Sequence, residues 1–137
     1  MKGPAHTIDS IEKAIEDLLI RGYDGGFLII DVSGTDYFIQ LRKYILASGN
    51  YGIELSFPKA KWSEFFFTAL VAYCDKAQIN YTISKGDASK EELDFLDIDF
   101  GKETHEAHNF IKNIITEIFG LKRDVKLFVR LENAALA

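Results

Sequence analysis

The chain has 137 residues, of which 47% are hydrophobic and 13% aromatic, a composition that excludes disorder and supplies enough apolar surface for one core. Its 16 Lys and Arg against 21 Asp and Glu leave a net charge of −5 and a pI near 5.2, which argues against nucleic acid, because backbone binding draws on counterion release at a basic surface. Cys74 is the one cysteine, so neither an internal disulfide nor a cysteine zinc site can form, and no apolar run reaches the ~20 residues of a membrane span. A reducing, cytoplasmic setting without a membrane partner is expected.

In chain order, residues 1–6 read as a frayed leader around Gly3 and Pro4. Thr7 then offers an N-cap and Asp9 a first-turn acid. Ile8, Ile11, Ala14, Ile15, Leu18 and Leu19 recur at steps of three and four, which predicts an amphipathic helix with a left-handed stop at Gly22. The run 27–32 is continuously apolar up to Asp31 and reads as a central strand covered on both faces. Turn chemistry at 33–36 folds the chain back into a strand with Tyr37, Ile39 and Leu41 on one face and Phe38, Gln40 and Arg42 on the other. A second turn at 48–50 leads to the cleanest alternation in the chain, Tyr51, Ile53, Leu55 and Phe57 against Glu54 and Ser56.

Pro58 closes that strand, and Trp62, Phe65, Phe66, Ala69, Leu70, Tyr73, Cys74 and Ala77 carry helical spacing from about 61 onward. Phe67 and Val71 fall off this stripe, so this helix is apolar around more of its girth than the others and is either sandwiched or turned toward a partner through these two positions. Cys74 lies on the stripe with no neighbouring base and reads as a buried structural thiol. A short strand at 79–83 and a polar loop at 84–90 follow. The stretch 92–120 then reads as strand, turn and helix: Leu96, Ile98 and Phe100 share one strand face, Asp97 and Asp99 the other. In the helix, Ala107, Phe110, Ile111, Ile114, Ile115 and Ile118 form a buried stripe closed by Gly120. Beyond it, Val125, Leu127, Val129 and Leu131 alternate with Lys126, Phe128 and Arg130, as a terminal strand would. The fold class is α+β in a single domain, in the order α-β-β-β-α-β-β-α, with an antiparallel sheet packed by helices and a tail at 121–137 that adds a strand.

No string in the chain matches a specific catalytic motif. Asp97 and Asp99, with Asp94 and Asp31 as neighbours, project two carboxylates the same way, yet the set lacks the further oxygen ligands and distal Glu of a calcium loop. His105 and His108 stand at i and i+3, and the residue that HExxH chemistry needs as its second histidine is Asn109. Both histidines are read as exposed residues of a helix start. The glycines at 22, 25, 26 and 34 match neither nucleotide-binding fingerprint and serve turns. No cofactor, metal or catalytic group is assigned.

The element order, size and low pI, over roughly residues 7–120, resemble the class I type III secretion chaperones, a resemblance of architecture without a signature string. It implies a bacterial, non-catalytic homodimer that keeps a segment of a secreted effector extended across apolar patches. A second reading is an immunity protein that neutralises a toxin, steered by acids such as Asp94, Asp97 and Asp99. A third, weaker, reading is an enzyme with a metal on Asp97 and Asp99 and His105 or His108 as base. The residues expected to face a protein partner are Phe67, Val71, Asp94, Asp97 and Asp99.

Overall fold

The structure is a computed structural model, and it describes residues 3–136. Helix α1 (Glu12–Arg21) follows a short 3-10 turn, Asp9–Ile11, whose first N–H groups are met locally: Thr7 Oγ1 accepts from the Ser10 N–H at 3.3 Å. Strands β1 (Gly22–Val32), β2 (Phe38–Ile45) and β3 (Tyr51–Pro58) form the meander that the alternations predict. After α2 (Glu64–Ala77) come β4 (Thr82–Ser84), β5 (Phe95–Gly101), α3 (Thr104–Asn113) and β6 (Leu127–Ala134).

Among the described residues the strands make one six-stranded sheet in the order β4-β5-β3-β2-β1-β6, with every neighbour antiparallel. Its register sets Leu28 between Leu41 and Leu131, Ile30 between Ile39 and Val129, and Leu55 between Leu41 and Ile98. Those residues point to the same side, because side chains directly opposite in a ladder share a face. Leu28, Ile30, Val32, Ile39, Leu41, Ile53, Leu55, Phe57, Leu96 and Ile98 are all buried there beneath the helices. Among the described residues the opposite face carries no helix, and its side chains are half-buried or exposed, save Pro58 at the end of β3. The architecture is α+β, with helices packed on one side of an open antiparallel sheet.

This corrects the expectation that the strand at 27–32 is covered on both faces. Its apolar run is continuous because Phe27 and Ile29 populate the uncovered face, where they are half-buried by cross-strand neighbours. Nor is Gly22 a left-handed stop: at φ −65° it is extended and already the first residue of β1. Glycine is needed there for space, since a Cβ would stand 2.5 Å from the Leu18 carbonyl oxygen. The residues between Gly22 and Phe27 bulge out of register with β6, and Gly25, at φ +81°, allows that turn.

The last helix also departs from the regular stripe. After Asn113 the chain widens into a π-helical turn, Ile114–Ile118, closed by the Phe119 N–H on the Ile114 carbonyl at 2.8 Å. The extra residue rotates the face: Ala107, Phe110, Ile111, Ile114 and Ile115 are buried as predicted, but Ile118 is half-buried and Phe119 takes its place. Phe119 then meets Tyr37, Phe57, Trp62 and Phe66, with ring centroids 4.9 to 6.4 Å away. Gly120 ends the element at φ +69°.

Residues near both limits of the described chain are tied to the sheet; Met1 and Lys2 of the expected leader lie outside the described residues. His6, expected in a frayed leader, forms a bridge with Leu127, 2.7 and 2.8 Å for the two N–H···O bonds. At the other end of β6, Ala135 donates its N–H to the Arg21 carbonyl at 2.7 Å, and Arg21 Nε returns a bond to the Ala135 carbonyl at 2.9 Å. The tail at 121–137 therefore supplies the sixth strand, with Ala137 outside the described residues.

Candidate protein-binding face

The uncovered face divides into two halves by the strands that build it. On β6, β1 and β2, Phe128 and Phe38 flank Asp31, Arg130 and Gln40 flank Ile29, and Glu132 and Arg42 flank Phe27. Phe27, Ile29, Phe38 and Phe128 are half-buried and give this half its apolar character. On β3, β5 and β4 the same face is polar and acidic, with Glu54 opposite Asp99 and Ser56 opposite Asp97, which also pairs Thr82.

Asp97 and Asp99 thus share a face, as their spacing predicts, and both carboxylates are occupied by donors. Asp97 accepts from Ser56 Oγ at 2.8 Å and from Ser84 Oγ; Asp99 accepts from Tyr44 Oη at 2.7 Å and from the Gly101 N–H at 2.8 Å. Burial first, then the Asp99 hydrogen bond and charge, push the Tyr44 phenol up to about 12. Glu54, which alternation placed on this face but chemistry did not single out, joins the row and pairs with Arg42 at 2.5 Å. Glu54, Asp97 and Asp99 line a cleft of about 320 Å³ with Asn80, Tyr81 and Thr82.

The other acids expected beside them lie elsewhere. Asp31 stands on the apolar half, 3.6 Å from Arg130. Asp94 precedes β5 and folds the 85–94 loop, accepting from the Gly86 N–H at 3.0 Å and Lys85 Nζ at 3.2 Å. The Gly86 bond, then Lys85, hold its carboxyl below the usual carboxylate range. Among the described residues no three His, Cys, Asp or Glu side chains converge as a metal site, and no helix is long and apolar enough to cross a membrane.

Helix α2 reverses the expected roles of its rings. Phe67, Leu70 and Cys74 are its buried residues, Val71 is half-buried against the core, and Phe65 is 79% exposed. Phe67 is therefore corrected from a partner-facing residue to a core residue. Helical spacing allows two adjacent stripes here, and the apolar 65–67 run does not say which faces the sheet. Phe65 borders a shallow cleft of about 580 Å³ with Lys61, Glu64, Thr68, Ala69 and Ala72. Cys74 is fully buried, and burial with the neighbouring Asp75 charge pushes its thiol up to about 11, far from a nucleophile's range.

The histidines separate too. His105 is exposed, with Nδ1 3.0 Å from Glu12. His108, read as exposed, is buried: it donates its Nε2–H to the Ile8 carbonyl at 2.7 Å and so ties α3 to the chain entering α1. One turn of helix separates the two rings, but Ala107 and Ile111 draw the His108 side of α3 into the core. Comparison with protein-family models, with curated proteins and with solved structures returns no match.

Proposed function

We propose that this is a non-catalytic, cytoplasmic protein-binding protein that holds an extended segment of a protein partner, as the resemblance to secretion chaperones implies. The observation that supports this reading is the sheet face without a helix, half apolar through Phe27, Ile29 and Phe38 and half acidic through Glu54, Asp97 and Asp99. An open antiparallel face normally alternates toward solvent with polar residues. Phe27, Ile29 and Phe38, large apolar side chains on adjacent strands, instead offer a surface to another chain. The partner segment that fits places apolar side chains on β1 and β2 and Lys or Arg side chains on the Glu54–Asp99 row. Secreted effectors are the first partners to try.

The acidic row also supports a second reading, an immunity protein whose partner is a toxin with a basic surface. Binding kinetics with proteins encoded beside the gene separate the two. A chaperone-like grip loses affinity in Ile29→Glu and changes little between low and high salt. An immunity-like grip loses association rate in Asp97→Asn/Asp99→Asn and slows steeply as salt rises. Binding that neither set of substitutions weakens defeats both readings.

A further inference from the structure

Among the described residues the outer edge of β6 is an unclosed ladder beyond Leu127, and its chemistry selects what closes it. Leu127 gives both its N–H and its C=O to His6, outward from the sheet, while Lys126 C=O accepts from the Ser33 N–H on the inward side. In an antiparallel strand these directions alternate, so Phe128, Arg130 and Glu132 bond to β1, and Val129 and Leu131 aim their backbone groups off the edge. The His6 contact is a single bridge; no backbone hydrogen bond joins residues 3–5 to β6. The edge is also held in place, since Ala135 is fastened to Arg21. The opposite edge differs: β4 is three residues long with every side chain exposed, a blunted edge.

We propose that a second copy of the chain pairs along this edge, β6 against β6 antiparallel, on a twofold axis through Leu131. The register follows from charge. An axis through Arg130 sets Arg130 against its own copy, and one through Glu132 sets two glutamates together. An axis through Val129 needs the Leu127 groups that His6 already holds. Only the axis at Leu131 places Arg130 opposite Glu132 of the other copy, twice by symmetry, on the closer non-hydrogen-bonded positions. Arg130 stands 3.6 Å from Asp31 and has donors for both carboxylates, and Glu132 makes no ion pair among the described residues. Asn133, at φ +54°, turns the chain away beyond the paired stretch. The axis runs perpendicular to the sheet, so the two uncovered faces lie on one side and form a continuous surface. This goes beyond the reading above, because it fixes how two copies meet and needs no third protein.

Sedimentation equilibrium of the full chain over a concentration series, with amide exchange read residue by residue, tests it. The expected result is a concentration-dependent dimer in which the Leu131 amide slows as dimer forms, while Val129, opposite the turned-away Asn133, gains no ladder bond. Glu132→Arg sets like charges opposite each other at both symmetric positions and is expected to weaken the dimer about tenfold or more. The Arg130→Glu/Glu132→Arg exchange restores opposite charges and is expected to recover most of that loss, with melting curves confirming that both variants fold. A chain monomeric at every concentration, or one whose Leu131 amide slows only with a third protein, overturns the proposal. So does a dimer unaffected by Glu132→Arg, or a folded double variant no tighter than the single one.

Discussion

Replacing Phe119 by alanine tests the π-helical turn directly. If the helix ran on regularly, Ile118 would occupy the core and Phe119 the surface; with the turn as observed, Phe119 is 8% exposed and Ile118 half-buried. Truncating a buried Phe to Ala costs about 3–5 kcal/mol, and the loss of its contacts with Tyr37 and Phe66, at 5.0 and 4.9 Å, points to the upper part of that range. Ile118→Ala removes a smaller, half-buried group and is expected to cost about 1–2 kcal/mol. A chain of this size has a total stability on the order of 10 kcal/mol, so Phe119→Ala leaves a folded protein with a sharply reduced margin. Urea unfolding followed by fluorescence suits the measurement, because Trp62 is the one tryptophan and lies 6.4 Å from the Phe119 ring. With a urea slope of roughly 2 kcal/mol per molar, the midpoint should fall by about 2 M for Phe119→Ala and by less than about 1 M for Ile118→Ala. The reverse order, Ile118→Ala the more damaging, would refute the turn and return the helix to its regular stripe.

Further outcomes follow from other contacts. Ile114→Asp should cost several kcal/mol by circular dichroism melting, since it puts an unpaired charge at a site 1% exposed. The Cys74 thiol should stay unmodified by a disulfide reagent at pH 8 in the native protein and react at once in denaturant. The folded protein holds the Tyr44 proton to about 12, above the ordinary phenol value, so it binds more protons than the unfolded chain between those values. Stability should therefore fall as pH rises from 10 toward 12, and Asp99→Asn should flatten that slope and bring the tyrosine absorbance transition to lower pH. For Asp94 the sign reverses: its carboxyl is depressed in the fold, so its contribution is present above the ordinary carboxylate value and fades in acid, which Asp94→Asn should show as a weaker loss of stability below about pH 4.

Which side chains share a face was legible in the sequence wherever a period governs. Alternation placed Ile39 with Leu41, Ile53 with Leu55 and Asp97 with Asp99, and the ladder confirms each pairing of faces. What no period carries was missed. The run at 27–32 does lie inside the sheet, between β2 and β6, but which faces the helices cover depends on the whole sheet, and only one face of this strand is covered. The π turn inserts a residue without a local signal, and the exchange of Ile118 for Phe119 follows from it. In α2, three consecutive phenylalanines left the buried direction open, and the sheet chose Phe67. His108 looked like a surface residue because the Ile8 carbonyl it bonds lies far away in the sequence. Of the expected partner-facing acids, Asp97 and Asp99 remain together, whereas Asp94 is engaged by a loop whose geometry the sequence does not show.

The position of β6 also bears on how the molecule assembles. β1 finds β2 through a short turn, but its other neighbour arrives only after almost the entire chain has been made, and such distant pairings are slow to form. Until then the inner edge of β1 is bare, and so are the sides of Leu28, Ile30 and Val32 that Leu131, Val129 and Leu127 would cover. A refolding intermediate of this kind presents a template on which any extended chain can pair, including the β6 of a neighbouring molecule. The fastenings at His6 and Arg21 then act as a latch: once both have closed, the strand that arrived last is hard to exchange.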